Sequence, residues 1–129
     1  MFMTKSIASV LGMVFIVAGL LGFIAPGLMG MHLTVAHNLI HLASGALALY
    51  FGLKATPTLA RTFCIVFGVV YALLGLIGFT AGGPERMLVL IPNQLMLGTM
   101  DHIVHVILGA VFLFAGLYRR PVMAGPPLP

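Results

Sequence analysis

Histidine and aspartate recur at helical spacing within two apolar stretches of the chain. His37 and His41 are four residues apart, and Asp101 and His105 repeat that spacing near the other end of the sequence. Side chains four residues apart share one face of a helix. Imidazole and carboxylate groups so arranged can bind a metal ion, relay protons or hydrogen-bond one another. The sequence therefore predicts one polar cluster, made of His37, Asn38, His41, Asp101, His102 and His105.

The sequence alone leaves the chemistry of this cluster open. A structural hydrogen-bond network between helices is one interpretation. A metal site is a second, because three histidines and one aspartate on facing helices offer four ligands suited to zinc, copper or iron. A b-type haem with His41 and His105 as axial ligands is a third, and proton relay or quinone contact is a fourth. Asn38 stands where an H-E-x-x-H motif has glutamate, which argues against a metalloprotease.

The composition indicates that membrane helices position these residues. Of the 129 residues, 61% are hydrophobic and only 6% are charged, against about 25% charged in soluble domains. This balance excludes a soluble enzyme, a disordered segment and a nucleic-acid binder, and no nucleophile–base pair or phosphate-binding glycine loop stands out in the sequence. A membrane-spanning helix needs about 20 apolar residues. Four stretches qualify, at residues 6–24, 33–53, 62–81 and 97–118.

The positive charges predict the orientation in the membrane. Cytoplasmic segments are enriched in lysine and arginine, and all but one of the six such residues fall on one side of the predicted spans. We therefore expect a plasma-membrane protein with one domain at residues 1–120, both termini cytoplasmic, and a disordered cytoplasmic tail at residues 121–129. The residues on the cytoplasmic side are Lys5, Lys54, Arg61, Arg119 and Arg120.

The chain repeats one helical hairpin. Residues 6–53 form the first copy and residues 62–118 the second, and His41 aligns with His105. Each copy crosses the membrane twice, so the copies are parallel and related by a pseudo-two-fold axis along the membrane normal. We expect an all-α fold, a four-helix transmembrane bundle. Small residues on one helix face allow close helix packing in lipid. The glycines assigned to this packing are Gly12, Gly19, Gly22, Gly45, Gly52, Gly68, Gly75, Gly78, Gly109 and Gly116.

Three further expectations concern residues around the cluster. A carboxylate inside a bilayer is costly, so we expect Asp101 to pair with a histidine of the cluster. We expect His32 to be a solvated loop residue. The apolar segment at residues 84–96 is expected either to lie in the membrane interface or to extend the fourth helix outward from Pro92.

The polar motifs also carry a family resemblance. Residues 37–42 and 101–109 resemble the paired motifs of an uncharacterised bacterial membrane family, domain of unknown function 4383, and the likeness spans nearly the whole chain. The resemblance implies four helices and marks the polar site, but it implies no activity. His102 is a departure, because the family pattern has asparagine there. The motif positions fall on His37, Asn38, His41, Gly45, Asp101, His105 and Gly109.

These observations predict a small integral membrane protein rather than an enzyme. We expect an accessory subunit or an oligomeric membrane component with a structural His/Asp cluster, whose partners are the lipid bilayer and either a second copy or a larger membrane complex. No nucleic-acid partner is expected. The alternative is a membrane module that uses the cluster to bind a metal ion or haem b for redox chemistry or metal handling.

Overall fold

Four long helices dominate the computed structural model, which describes residues 2–119 and Gly125. A short 3-10 turn joins the first two helices, and a two-stranded antiparallel hairpin joins the last two. The expected all-α fold thus acquires two short strands that the sequence did not predict. The elements are α1 (Phe2–Ile24), the 3-10 turn (Leu28–Gly30), α2 (Val35–Leu53), α3 (Pro57–Ala81), β1 (Leu88–Ile91), β2 (Leu95–Leu97) and α4 (Thr99–Leu117).

Three of these helices, α1, α3 and α4, are long and apolar enough to cross a membrane. The fourth predicted span, α2, has 19 residues but carries four polar side chains that lower its hydropathy. These side chains are buried inside the protein rather than turned outward: His37, Asn38, His41 and Ser44.

The helices pack as two close pairs that share one apolar core. The most extensive interfaces join α1 to α2 and α3 to α4, and smaller ones join the two pairs. Aromatic rings from three of the helices meet at the centre, where Phe15 lies 5.1 Å from Tyr71 and 6.2 Å from Phe112 between ring centroids. The buried core residues are Ala8, Leu11, Phe15, Ala48, Phe63, Cys64, Tyr71, Phe112 and Ala115.

Glycine allows the close approach within each pair. A Cβ atom at Gly12 would lie 2.9 Å from the carbonyl oxygen of Gly45, and one at Gly68 would lie 3.0 Å from that of Gly109. At each of the ten glycines assigned to packing, a Cβ atom would come closer than 3.0 Å to an atom of the paired helix. Any side chain there would force the helices apart.

The structure moves the start of each predicted helix, from residues 6, 33, 62 and 97 to Phe2, Val35, Pro57 and Thr99. The third helix begins at Pro57 rather than at residue 62, because Thr56 caps it: the Thr56 hydroxyl oxygen accepts a hydrogen bond from the Leu59 amide at 3.3 Å. Proline is favoured in the first turn of a helix, so Thr56-Pro57 marks the start of α3. The fourth helix begins at Thr99 and not at residue 97.

The segment between α3 and α4 folds as the hairpin, and the predicted extension of α4 from Pro92 is wrong. Strands β1 and β2 pair with Leu88 opposite Leu97. The turn at residues 92–94 requires a left-handed residue, which Asn93 supplies with φ 61°. Leu95 and Leu97, on β2 of this hairpin, are buried. The tail predicted to be disordered, at residues 121–129, lies outside the described residues apart from Gly125.

Two of the cations that predict the orientation also bind helix carboxyl ends. Lys5 Nζ donates a hydrogen bond to the carbonyl oxygen of Ala55, just beyond α2, at 2.9 Å. Arg61 Nε donates to that of Gly116, at the end of α4, at 2.7 Å. Cations are favourable at this negative end of a helix, so these two charges stabilise the fold at the end opposite the polar cluster.

Candidate functional site

The polar cluster is built at the amino-terminal ends of α2 and α4. His37 and Asp101 are each the third residue of their helix, and each completes a cap. In α2 the Thr34 hydroxyl oxygen accepts a hydrogen bond from the His37 amide at 3.3 Å. In α4 the first residue of the cap is Gly98, which has no side chain, and Asp101 Oδ2 instead accepts from the Gly98 amide at 2.8 Å. The two helices thus use opposite halves of a capping box.

Asp101 also joins α4 to the loop of the first hairpin. Its fully buried carboxylate accepts hydrogen bonds at Oδ2 from the His32 backbone amide, at 3.1 Å, and from His32 Nδ1, at 3.2 Å. His32 is therefore only in part the solvated loop residue we expected: 39% of its side chain is exposed, but its amide and ring bind Asp101. We call His32, Gly98 and Asp101 the clasp.

His37 lies between the clasp and the interior. Its Nδ1 atom lies 2.8 Å from the carbonyl oxygen of His32 and 3.9 Å from Asp101 Oδ1. A carbonyl oxygen can only accept, so Nδ1 carries the hydrogen and donates it to His32. In the neutral imidazole, Nε2 then carries the lone pair. A hydrogen bond of this kind fixes the tautomer and the orientation of a metal-binding imidazole in many proteins.

Three histidines meet behind the clasp, and we call them the histidine triad: His37 and His41 from α2 and His105 from α4. One ring nitrogen from each lies within 4.8 Å of the other two. All three side chains are buried, with at most 5% exposed. The centroid of the His37 ring lies 4.2 Å from that of the His41 ring and 5.8 Å from that of the His105 ring.

Several nitrogens of the triad have no hydrogen-bond partner among the described residues. Both ring nitrogens of His41 and Nδ1 of His105 are buried and unpaired within residues 2–119 and Gly125. Most buried polar atoms in native proteins are paired, and an exception indicates a bound water, an ion or a functional role.

A cavity of about 50 Å³ adjoins the triad. It lies between α2, α3, α4 and the β-hairpin, so its walls come from both halves of the chain. Tyr71 contributes its ring, and its hydroxyl is 3.0 Å from Ser44 Oγ. The remaining walls are aliphatic: Ile40, Leu74, Leu90, Leu95 and Leu97.

Two residues of the predicted cluster point elsewhere. Asn38 faces α1 at Gly22 and donates from Nδ2 to the carbonyl oxygen of Leu33 at 3.3 Å. His102 faces α3 at Gly78 and donates from Nε2 to a backbone carbonyl oxygen, that of Arg86, at 2.6 Å. Each side chain lies at the interface between the two helices of its own pair, α1 with α2 or α3 with α4. We call Asn38 and His102 the seam residues. The one cluster predicted from the sequence is thus a clasp, a triad and two seam residues.

The family described as domain of unknown function (DUF4383) matches residues 5–118. The chain belongs to this family. No curated protein and no solved structure matches it. The resemblance noted in the sequence is therefore confirmed. DUF4383 membership and the three apolar helices together fit a small membrane protein.

The DUF4383 match includes the clasp, the triad and both seam residues. Sequence reasoning missed His32 because nothing local marks it: its partner Asp101 is 69 residues away. It also missed the cap, although a signal existed, since an acidic residue three positions after a helix start is a capping pattern. Gly98 and Asp101 have this spacing.

Proposed function

We propose that this protein is a four-span membrane protein that holds one transition-metal ion on the histidine triad. The observation that carries the proposal is the meeting of three buried imidazoles with ring nitrogens within 4.8 Å of one another. Metal–nitrogen bonds of about 2.0–2.1 Å place tetrahedral ligand atoms roughly 3.4 Å apart. Each ring reaches that spacing by moving less than about 1 Å, which side-chain rotation beside a cavity allows.

The unpaired nitrogens favour a bound ion over simple packing. A buried polar atom without a hydrogen bond costs about 1–3 kcal/mol, and His41 and His105 together have three such atoms among the described residues. A bound ion would accept lone pairs of these ring nitrogens, which are otherwise buried without a partner in the described part of the chain. The hydrogen bond from His37 Nδ1 to the His32 carbonyl already orients one ligand.

The size of the cavity favours an ion over haem. Pockets for cofactor-sized ligands measure about 300–1,000 Å³, whereas the space beside the triad is about 50 Å³. A porphyrin between His41 and His105 would have to displace the aliphatic walls. Asp101, which the sequence offered as a fourth ligand, is engaged in the clasp, so we assign it the structural role predicted for the cluster.

The burial of the polar residues supports α2 as the fourth span. Its 19 residues extend about 28 Å, close to the roughly 30 Å of a bilayer core. The side chains that lower its hydropathy face the protein interior, so its outward surface is apolar. Equivalent contacts support the internal repeat: Gly12 meets Leu49 as Gly68 meets Leu113, and Gly22 meets Asn38 as Gly78 meets His102.

We expect both termini to be cytoplasmic and the β-hairpin to lie on the opposite side of the plasma membrane. An enzymatic reporter fused after residue 119 should be active in its cytoplasmic form, and one inserted at Asn93 should behave as external. The reason is the accumulation of lysine and arginine at one end of the helices. An external signal from the C-terminal fusion would contradict this orientation, and equal signals from both sites would contradict a membrane crossing by α4, which lies between them.

The metal proposal predicts one retained ion per chain. Purified full-length protein in detergent, loaded with a mixture of zinc, copper and nickel salts and then desalted, should contain one equivalent by elemental analysis. His41→Gln should reduce retention at least tenfold, because it removes one of three ligands. His102→Asn is the matched control, since it replaces a buried histidine outside the triad with the residue found at the equivalent position 38, and it should retain the ion.

Absence of metal from the wild-type protein, or equal retention by His41→Gln, would contradict the metal proposal. The alternative function would then be favoured, a structural subunit of a larger membrane assembly or a homo-oligomer. In that case the triad is part of the aromatic core, which the ring distances of 5.5 Å from His41 to Phe15 and 5.4 Å from His105 to Tyr71 support.

A further inference from the structure

The charges near the histidine triad discriminate between candidate ions. Three neutral imidazoles contribute no charge, and the chain has only two acidic residues. Glu85 is exposed, whereas Asp101 is fully buried and its Oδ1 lies 3.9 Å from His37 Nδ1. A monovalent cation on the triad is balanced by this one carboxylate. A divalent cation leaves one positive charge uncompensated in an apolar environment, where unbalanced charge is expensive.

The apolar walls of the cavity also favour a monovalent cation over a divalent one. Divalent zinc on three histidines normally completes its coordination with water or hydroxide, which needs hydrogen-bond partners. Apart from the triad and the Tyr71 ring, the described residues that line the cavity are aliphatic, and the Tyr71 hydroxyl is already bonded to Ser44. A metal-bound water would therefore be poorly satisfied, whereas an ion that is stable with three ligands requires none.

Resting on the metal site proposed above, we infer that the bound ion is copper(I), with Asp101 as its counter-charge and an open coordination position toward the cavity. Imidazole is a suitable ligand for both copper and zinc, so we base the choice between them on charge and on the polarity of the cavity. The cavity of about 50 Å³ is a few times the roughly 10–15 Å³ that one water needs. The open position therefore takes a neutral molecule of two or three atoms, for which carbon monoxide is the probe.

The test uses full-length protein in detergent under anaerobic conditions. It is titrated with copper(I) and separately with zinc(II), and the copper-loaded protein is then exposed to carbon monoxide and examined by infrared spectroscopy. We expect one copper(I) per chain, bound at least tenfold more tightly than zinc(II), and a single C–O stretching band. Asp101→Asn should weaken copper(I) binding about tenfold or more because it removes the counter-charge. Glu85→Gln, the matched charge control, should leave the affinity unchanged.

The outcomes separate this inference from the proposed function. Zinc(II) bound at one equivalent and more tightly than copper(I) overturns the inference and leaves the metal site standing. No retained metal of either kind overturns both. Copper(I) binding without a carbon monoxide band overturns the open position, and unchanged affinity in Asp101→Asn overturns the counter-charge.

Discussion

Replacing Asp101 with leucine is expected to lower the free energy of unfolding by about 3 kcal/mol. The carboxylate accepts hydrogen bonds from the amides of Gly98 and His32 and from the His32 ring. Leucine leaves those donors without their acceptor and removes the cap of α4, and each buried unpaired donor costs about 1–3 kcal/mol. In thermal unfolding of the detergent-solubilised protein we expect a decrease in Tm of roughly 10 °C.

Asp101→Asn separates geometry from charge in the same experiment. Oδ2 accepts the three shorter hydrogen bonds, so the single amide oxygen of asparagine can take its place. We therefore expect a decrease of about 1 kcal/mol. Glu85, the other acidic residue, is exposed. The Glu85→Gln variant should therefore have the Tm of the wild type. A leucine variant as stable as the wild type would show that the clasp contributes nothing to stability.

Replacing Gly109 with valine is expected to destabilise the protein by about 3 kcal/mol or more. A Cβ atom at Gly109 would lie 2.8 Å from both Cα and Cβ of Ala72 and closer still to its backbone nitrogen. Backbone atoms cannot rotate away as a side chain can, so α4 has to move away from α3. Because His105 is one turn before Gly109 on the same face of α4, the shift also separates the triad.

The Gly109→Val experiment therefore has two readouts, Tm in detergent and metal retention, and both should decrease. Gly27→Ala is the matched control, because a Cβ atom there meets nothing within 4 Å and its φ of −98° suits alanine. It should change stability by less than about 0.5 kcal/mol. A Gly109→Val protein that melts with the wild type would contradict the close packing of α3 against α4.

The polar cluster divides into parts with different roles. Asp101 was predicted to pair with a histidine of the cluster, but its close partner is His32, and His37 stands farther away at 3.9 Å. Substitutions at His32 and Gly98 therefore report on stability, substitutions at His41 and His105 report on ligand binding, and Asp101→Asn tests the counter-charge. His37 belongs to the triad through its ring and contacts the clasp through Nδ1, so its substitution affects both properties.

The amino-acid sequence by itself determined the four helices and many of the residues that face inward, but not the two strands. Helical periodicity is a local property, so the four-residue spacing of His37 and His41 places them on one face wherever the helix packs. Apolar length likewise marks the helices, and the repeated glycines mark the faces by which they pair. Asn38 and His102 were grouped with their neighbours because they are adjacent in sequence. One position along a helix rotates a side chain by about 100°, which directs these two toward a different helix.

Tertiary packing decided which polar groups meet. The rotation and height of α2 against α4 bring His105 to His37 and His41 and direct the two seam residues toward glycines in their own hairpins. The partnership of His32 with Asp101 spans 69 residues, and the β-hairpin that covers the triad pairs strands at a bulged register. Such contacts depend on how whole elements pack together, and no local spacing in the chain encodes them.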